Sequence, residues 1–174
     1  MPAYLIIGNI FSLLSALCIA VSVAQKSKKK FMFWQIGDTF FGTGANIALY
    51  AYAALVISII CLIRNILSYQ GKLTKNITVI LTVLGVVVGA WANNLGVIGW
   101  FPIIASASYT IFIYITKNEQ QMRYASILNM ALWFIHCAYV QAYPSAIANI
   151  VLLGWTIWQI WQYHKNIDKK TKDI

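Results

Sequence analysis

Apolar residues run along this chain in seven blocks, at residues 4–24, 31–49, 52–69, 75–92, 97–116, 122–140 and 144–163. Each block is long enough for a helix that approaches the thickness of a bilayer core, at a rise of about 1.5 Å per residue. Polar and basic residues collect between the blocks. The junctions Tyr50-Ala51-Tyr52 and Gln141-Ala142-Tyr143-Pro144 are too short for loop domains and read as tight turns, with Pro144 suited to the first turn of the helix that follows. The pattern predicts an all-α, polytopic membrane protein with seven transmembrane helices.

Composition agrees, since 60% of the 174 residues are hydrophobic and 10% charged, too apolar for an ordinary soluble domain. The first block has no basic residue before it and four lysines after it, the reverse of a secretory signal peptide, so it is expected to remain as a span. A net charge of +9 raises the question of nucleic acid, but the basic residues sit in short segments beside apolar blocks, where they set orientation and touch anionic inner-leaflet lipid. No nucleic acid is expected. Cys18, Cys61 and Cys137 all lie inside apolar blocks, as small packing residues and not as a disulfide frame or metal site.

If the blocks alternate across a membrane, all 13 lysines and arginines fall on one side. The positive-inside bias makes that side cytoplasmic, with the N-terminus outside and the C-terminus inside. Laying Leu5–Leu67 over Gly96–Trp158 without gaps matches Ile7 with Ile98, Gly8 with Gly99, Ser15 with Ser106, Lys26 with Lys117 and Ala51-Tyr52 with Ala142-Tyr143. A duplication of three helices with one between the copies predicts a 3+1+3 parallel repeat. Its units are a first triple-helix bundle at 1–71, a linker helix at 72–94, a second bundle at 95–164 and a basic cytoplasmic tail at 165–174. Gly85 and Gly89 in the linker form a G-x-x-x-G pair that would let it approach another helix closely.

The candidate chemistry lies in the polar residues inside apolar blocks. Asp38 is the single acid within a block, and Arg64 lies at a similar expected depth, so the two are predicted to form a structural ion pair or a gate. Asp38, Ser58, Asn129, Asn149, Trp133 and His136 are the candidate substrate-binding residues: the polar side chains would hydrogen-bond another helix or a polar molecule, with Trp133 as a stacking wall and His136 on the same helix face. Pro102 removes a backbone bond within its helix and is a candidate hinge. Gly37, Gly42 and Gly44 thin the second helix for close packing. No zinc-protease, hydrolase or ATP-binding motif occurs, so neither an enzyme nor a cofactor is expected.

Met122-Arg123, Trp133-Phe134-Ile135-His136 and Ile63-Arg64 resemble the YgjV family of bacterial inner-membrane proteins, along nearly the whole chain. That family is similar to the larger group of SWEET sugar carriers, PnuC vitamin carriers and PQ-loop proteins. The resemblance implies an inner-membrane location and triple-helix bundles arranged 1-3-2 with a substrate between them. It implies a small facilitative transporter of a sugar- or vitamin-like polar molecule, working by alternating access between the bundles, with room for assembly as a homo-oligomer. The competing reading is a non-transporting membrane adaptor or sensor.

Overall fold

The computed structural model describes residues 2–25, 27–115 and 119–172. Lys26, Lys117 and the last two residues of the basic tail lie outside the described residues. Seven helices follow one another: α1 (Ala3–Val23), α2 (Lys28–Ala48), α3 (Tyr52–Tyr69), α4 (Lys75–Trp91), α5 (Val97–Ile115), α6 (Glu119–Tyr139) and α7 (Tyr143–Lys172). The segment from 165 to 172 continues α7 as helix.

The neighbour order does not match two triple-helix bundles. Each helix packs on the next, α7 returns to α1, α3 also meets α5, and among the described residues no contact joins α1 to α3 or α5 to α7. Six helices therefore close a single ring in the order α1, α2, α3, α5, α6, α7, and α4 lies outside the ring against α3 and α5. The expected 3+1+3 arrangement of 1-3-2 bundles is corrected by this order. A triple-helix bundle needs its first and third helices to share a face, and here α2 and α6 separate them.

The number of spans is corrected as well. Among the described residues, three helices are long and apolar enough to cross a membrane: α1 with 21 residues, α3 with 18 and α5 with 19. Helix α4 is apolar but has 17 residues. Helix α2 devotes a face to polar side chains, Gln35, Asp38, Thr39 and Asn46, and α6 carries Arg123, Asn129 and His136 among its apolar residues. Alternating apolar blocks identified helices correctly and crossings incorrectly, because block length does not register how polar one face of a helix is. The one-sided placement of the basic residues rested on seven crossings and does not carry over.

Glycines set the tightest approach in the ring. A Cβ at Gly44 would stand 2.8 Å from the Phe11 ring, one at Gly37 would stand 3.1 Å from Cys18 Sγ, and Gly42 faces Ser15 Oγ at 3.6 Å. All three neighbours lie on α1, so the thin face of α2 is the face that packs on α1. On α4, Gly85 and Gly89 face Ile57, with Ile103 also against Gly89, which seats α4 in the groove between α3 and α5.

Two of the turns are closed by side chains from elsewhere. Tyr50 and Gln141 adopt φ of 56° and 62°, and Ala51 and Ala142 donate back to the carbonyls of Asn46 and Cys137, which ends α2 and α6 in the left-handed cap usually given to glycine. Asn94 then holds the first turn, donating to the Tyr50 carbonyl at 2.8 Å and accepting from the Tyr52 amide at 3.2 Å. Asn9 holds the second, donating to the Gln141 carbonyl at 3.1 Å and accepting from the Tyr143 amide at 3.1 Å.

Candidate functional site: a polar cavity within the ring

Polar side chains recur on α2 at Gln35, Asp38, Thr39 and Asn46, and on α3 at Ser58, Arg64 and Asn65. At these spacings each set occupies one helical face. The ring turns both faces inward. They line a cavity of about 100 Å³, completed by Ser15 of α1, Tyr109 of α5, Asn129 and Trp133 of α6, and Ser145 and Asn149 of α7. That is several times the roughly 10–15 Å³ needed to hold one water.

Apolar clusters flank it at both ends and share Tyr109, Trp133, Cys137 and Ala142 with its lining. Met32, Tyr109, Ile113 and Ala125 pack together where α2 and α6 begin, and Cys137, Ala142 and Ala146 pack with Leu49 and Trp133 where they finish.

Arg64 dominates the charge inside. The residue is 3% exposed, and its guanidinium donates from Nε and Nη2 to Asn65 Oδ1 at 3.1 and 2.9 Å and from Nη1 to Thr110 Oγ1 at 3.1 Å. Its central carbon stands 5.1 Å from the Tyr109 ring centroid, over the negative π-face. Asn65 in turn donates from Nδ2 to Thr39 Oγ1 at 2.9 Å and to the Gln35 carbonyl at 3.3 Å, which ties α3 to α2.

Asp38 has a different partner. Ser15 Oγ donates to its Oδ1 at 2.5 Å, joining α2 to α1. Asp38 and Arg64 line the same cavity, yet the hydrogen-bond partners of each lie elsewhere: the acid is held by a hydroxyl and the guanidinium by an amide, a hydroxyl and a ring.

The remaining candidates divide by position. Ser58 accepts from Asn46 Nδ2 at 3.0 Å, and Asn149 donates from Nδ2 to the Ser145 carbonyl at 2.8 Å; both line the cavity, as do Asn129 and Trp133. His136 does not. It is fully buried behind Trp133, ring centroids 5.7 Å apart and edge-on, and neither ring nitrogen makes a hydrogen bond of normal geometry. A polar neighbour is the backbone of Ile98, whose carbonyl Pro102 leaves without a helical donor. Pro102 is buried within an unbroken α5, away from the cavity lining.

Ser15, Gln35, Asn65, Tyr109 and Ser145 belong to the site and were not apparent from the chain alone. Asn65 is adjacent to Arg64 in sequence, which is a readable hint. The part played by Ser145 depends on α7 returning to α1, where Ser12 donates to Ser145 Oγ at 2.8 Å and accepts from the Ser145 amide at 2.9 Å. Among the described residues no group of three or more His, Cys, Asp or Glu side chains is placed to hold a metal ion.

The family model Imp-YgjV, described as a bacterial inner membrane protein, matches residues 6–167. The chain belongs to the YgjV family. No curated protein and no solved structure matches it. Membership places this YgjV-family protein in the inner membrane, and its apolar helices make it multi-pass. Nothing in the match extends to the SWEET, PnuC or PQ-loop carriers, and the ring order differs from their bundle plan. The expected alternating-access transporter is corrected on the same ground. Rocking two bundles requires two bodies that each pack on themselves, whereas here α7 is bonded to α1 and α3 packs on α5 to form one body.

Proposed function

We propose that this YgjV-family protein is a non-transporting membrane sensor or adaptor that holds a small polar molecule in the ring cavity. The observation that carries this reading is Arg64, a buried guanidinium that lines the cavity with neutral partners only. A buried cation whose hydrogen bonds go to neutral groups, with Asp38 elsewhere in the same lining, gains from a ligand that brings an anionic oxygen to the guanidinium. Asn129, Asn149 and Ser58 would provide hydrogen bonds and Trp133 an apolar wall, the usual composition of a small-molecule site.

The finer placement in the membrane belongs to the same reading. Lysines at 28–30 follow the first span directly, so that side is cytoplasmic, the N-terminus is outside, and the basic end of α7 lies at the anionic inner leaflet. Lys29 over the Tyr69 ring near the start of α2 and Lys165 over the Trp161 ring in the last third of α7 are basic groups placed for a partner or a lipid headgroup.

A thermal-shift screen of polar metabolites on the purified protein tests the proposal, with each stabilising compound carried into sealed liposomes. The expected result is saturable stabilisation, abolished by Asn149→Leu and Asn129→Leu, without uptake of the compound. Stabilisation that survives both cavity variants, or accumulation inside the liposomes, counts against it.

A further inference from the structure

Two opposite charges in an apolar protein would ordinarily neutralise each other by direct contact. Asp38 and Arg64 line one small cavity and do not. Asn65 stands where a carboxylate could: its amide oxygen occupies the Nε–Nη2 edge of the guanidinium, and its amide nitrogen is anchored to Thr39, the residue next to Asp38. The arginine is pinned by a neutral side chain. Among the described residues its hydrogen bonds use three of the five guanidinium N–H groups, which leaves two for a guest. On the other side of the site, Ser15 engages one carboxylate oxygen of Asp38.

We propose that the cavity is built for a small zwitterion, with the ligand's carboxylate on Arg64 and its ammonium on Asp38, so that an α-amino acid of the size of alanine is the fitting chemical class. This rests on the ligand-binding reading above and makes it specific. A simple anion would satisfy Arg64 and leave Asp38 facing it with a like charge; a simple cation would do the reverse. A zwitterion complements both at once. A small ligand suits a cavity whose volume is several times the roughly 10–15 Å³ needed to hold one water. Asn129 and Asn149 complete a polar rim, and Trp133 meets the short aliphatic part.

The test uses isothermal titration of the full chain in lipid nanodiscs with alanine, propionate and ethylamine, which separate the two charges on one carbon frame. Alanine is expected to bind roughly tenfold or more tightly than either, because each half-ligand forfeits a charge-assisted contact. Asp38→Asn should reduce the preference for alanine over propionate to within about twofold, whereas Asp38→Glu should keep most of it. Propionate or ethylamine binding as tightly as alanine overturns the zwitterion while leaving a polar-ligand cavity in place, and so does a neutral polyol found as the best ligand. Failure of these three compounds and of the whole polar library removes the ligand-binding reading itself. The comparison of the three compounds on the unaltered protein decides the question even if the Asp38 variants do not fold.

Discussion

Asn65 grips Arg64 from the next position on the same helix, its Oδ1 accepting from Nε at 3.1 Å and Nη2 at 2.9 Å. Adjacent residues on a helix do not ordinarily face one another. Here the long arginine side chain folds back so that a neutral amide takes the place a carboxylate would occupy. Both residues are almost fully buried, and the amide nitrogen of Asn65 is fixed to α2. Replacing Asn65 by Leu removes the grip and leaves a buried charge poorly satisfied. We expect a loss of about 2–4 kcal/mol in unfolding stability, read by denaturant titration in detergent. Asn65→Asp should instead form a direct ion pair with Arg64 and weaken binding of any anionic ligand, measured by titration with the same compounds.

The ring closes through hydroxyls. Ser12 and Ser145 exchange bonds between α1 and α7, with Ser12 Oγ donating to Ser145 Oγ and accepting from the Ser145 amide. A double-mutant cycle of Ser12→Ala and Ser145→Ala should return a coupling of about 0.5–1.5 kcal/mol, since the two side chains satisfy one another. Additive effects of the two substitutions would mean that this seam does not hold α7 on α1.

The α1–α2 contact distinguishes glycines that sit on the same helix. Gly44→Ala places a methyl 2.8 Å from the Phe11 ring and should cost about 1–3 kcal/mol, whereas Gly42→Ala meets Ser15 at an ordinary 3.6 Å and should be neutral or stabilising. Melting temperatures of the two variants give the comparison directly. Equal effects would show that α2 does not approach α1 as described.

Gln141 adopts the left-handed conformation at φ 62° without being glycine. Its side chain is not used in the clasp, because Asn9 binds its backbone carbonyl. Gln141→Gly should therefore relieve a backbone penalty of about 1 kcal/mol and raise the melting temperature. Gln141→Val, which tolerates this conformation least, should lower it.

His136 serves as a control for the site. Its ring lies behind Trp133 with no well-formed hydrogen bond, so His136→Phe should keep the edge-on contact and change stability by within about 1 kcal/mol. Ligand titration should give an unchanged affinity. A large loss of binding would place the imidazole in the site after all.

Several levels of this protein are legible in the chain. The apolar blocks locate the helices: the expected 52–69 and 75–92 correspond to Tyr52–Tyr69 and Lys75–Trp91. Ser58, Asn129, Asn149, Trp133, Asp38 and Arg64 stand out because polar groups amid apolar neighbours are costly and seldom incidental. His136 stands out for the same reason and is misread, since a buried imidazole facing a cavity and one behind it have the same sequence signature.

What the residues by themselves determined is local: helix content, the thin glycine face of α2, the stripes of polar residues and the YgjV membership carried by motifs along the chain. Those follow from backbone sterics and side-chain periodicity, which act over a few residues. Tertiary structure alone decided which helices are neighbours, and with that the fate of every charge. Whether Arg64 meets Asp38 or Asn65, whether α1 touches α3 or α7, and whether the polar stripes converge on one cavity all depend on contacts between residues far apart in the chain. Similar apolar blocks serve a pair of bundles or a closed ring equally well. The choice rests on side-chain fit across helices: glycine against Phe11, serine against serine, and an asparagine reaching a distant turn.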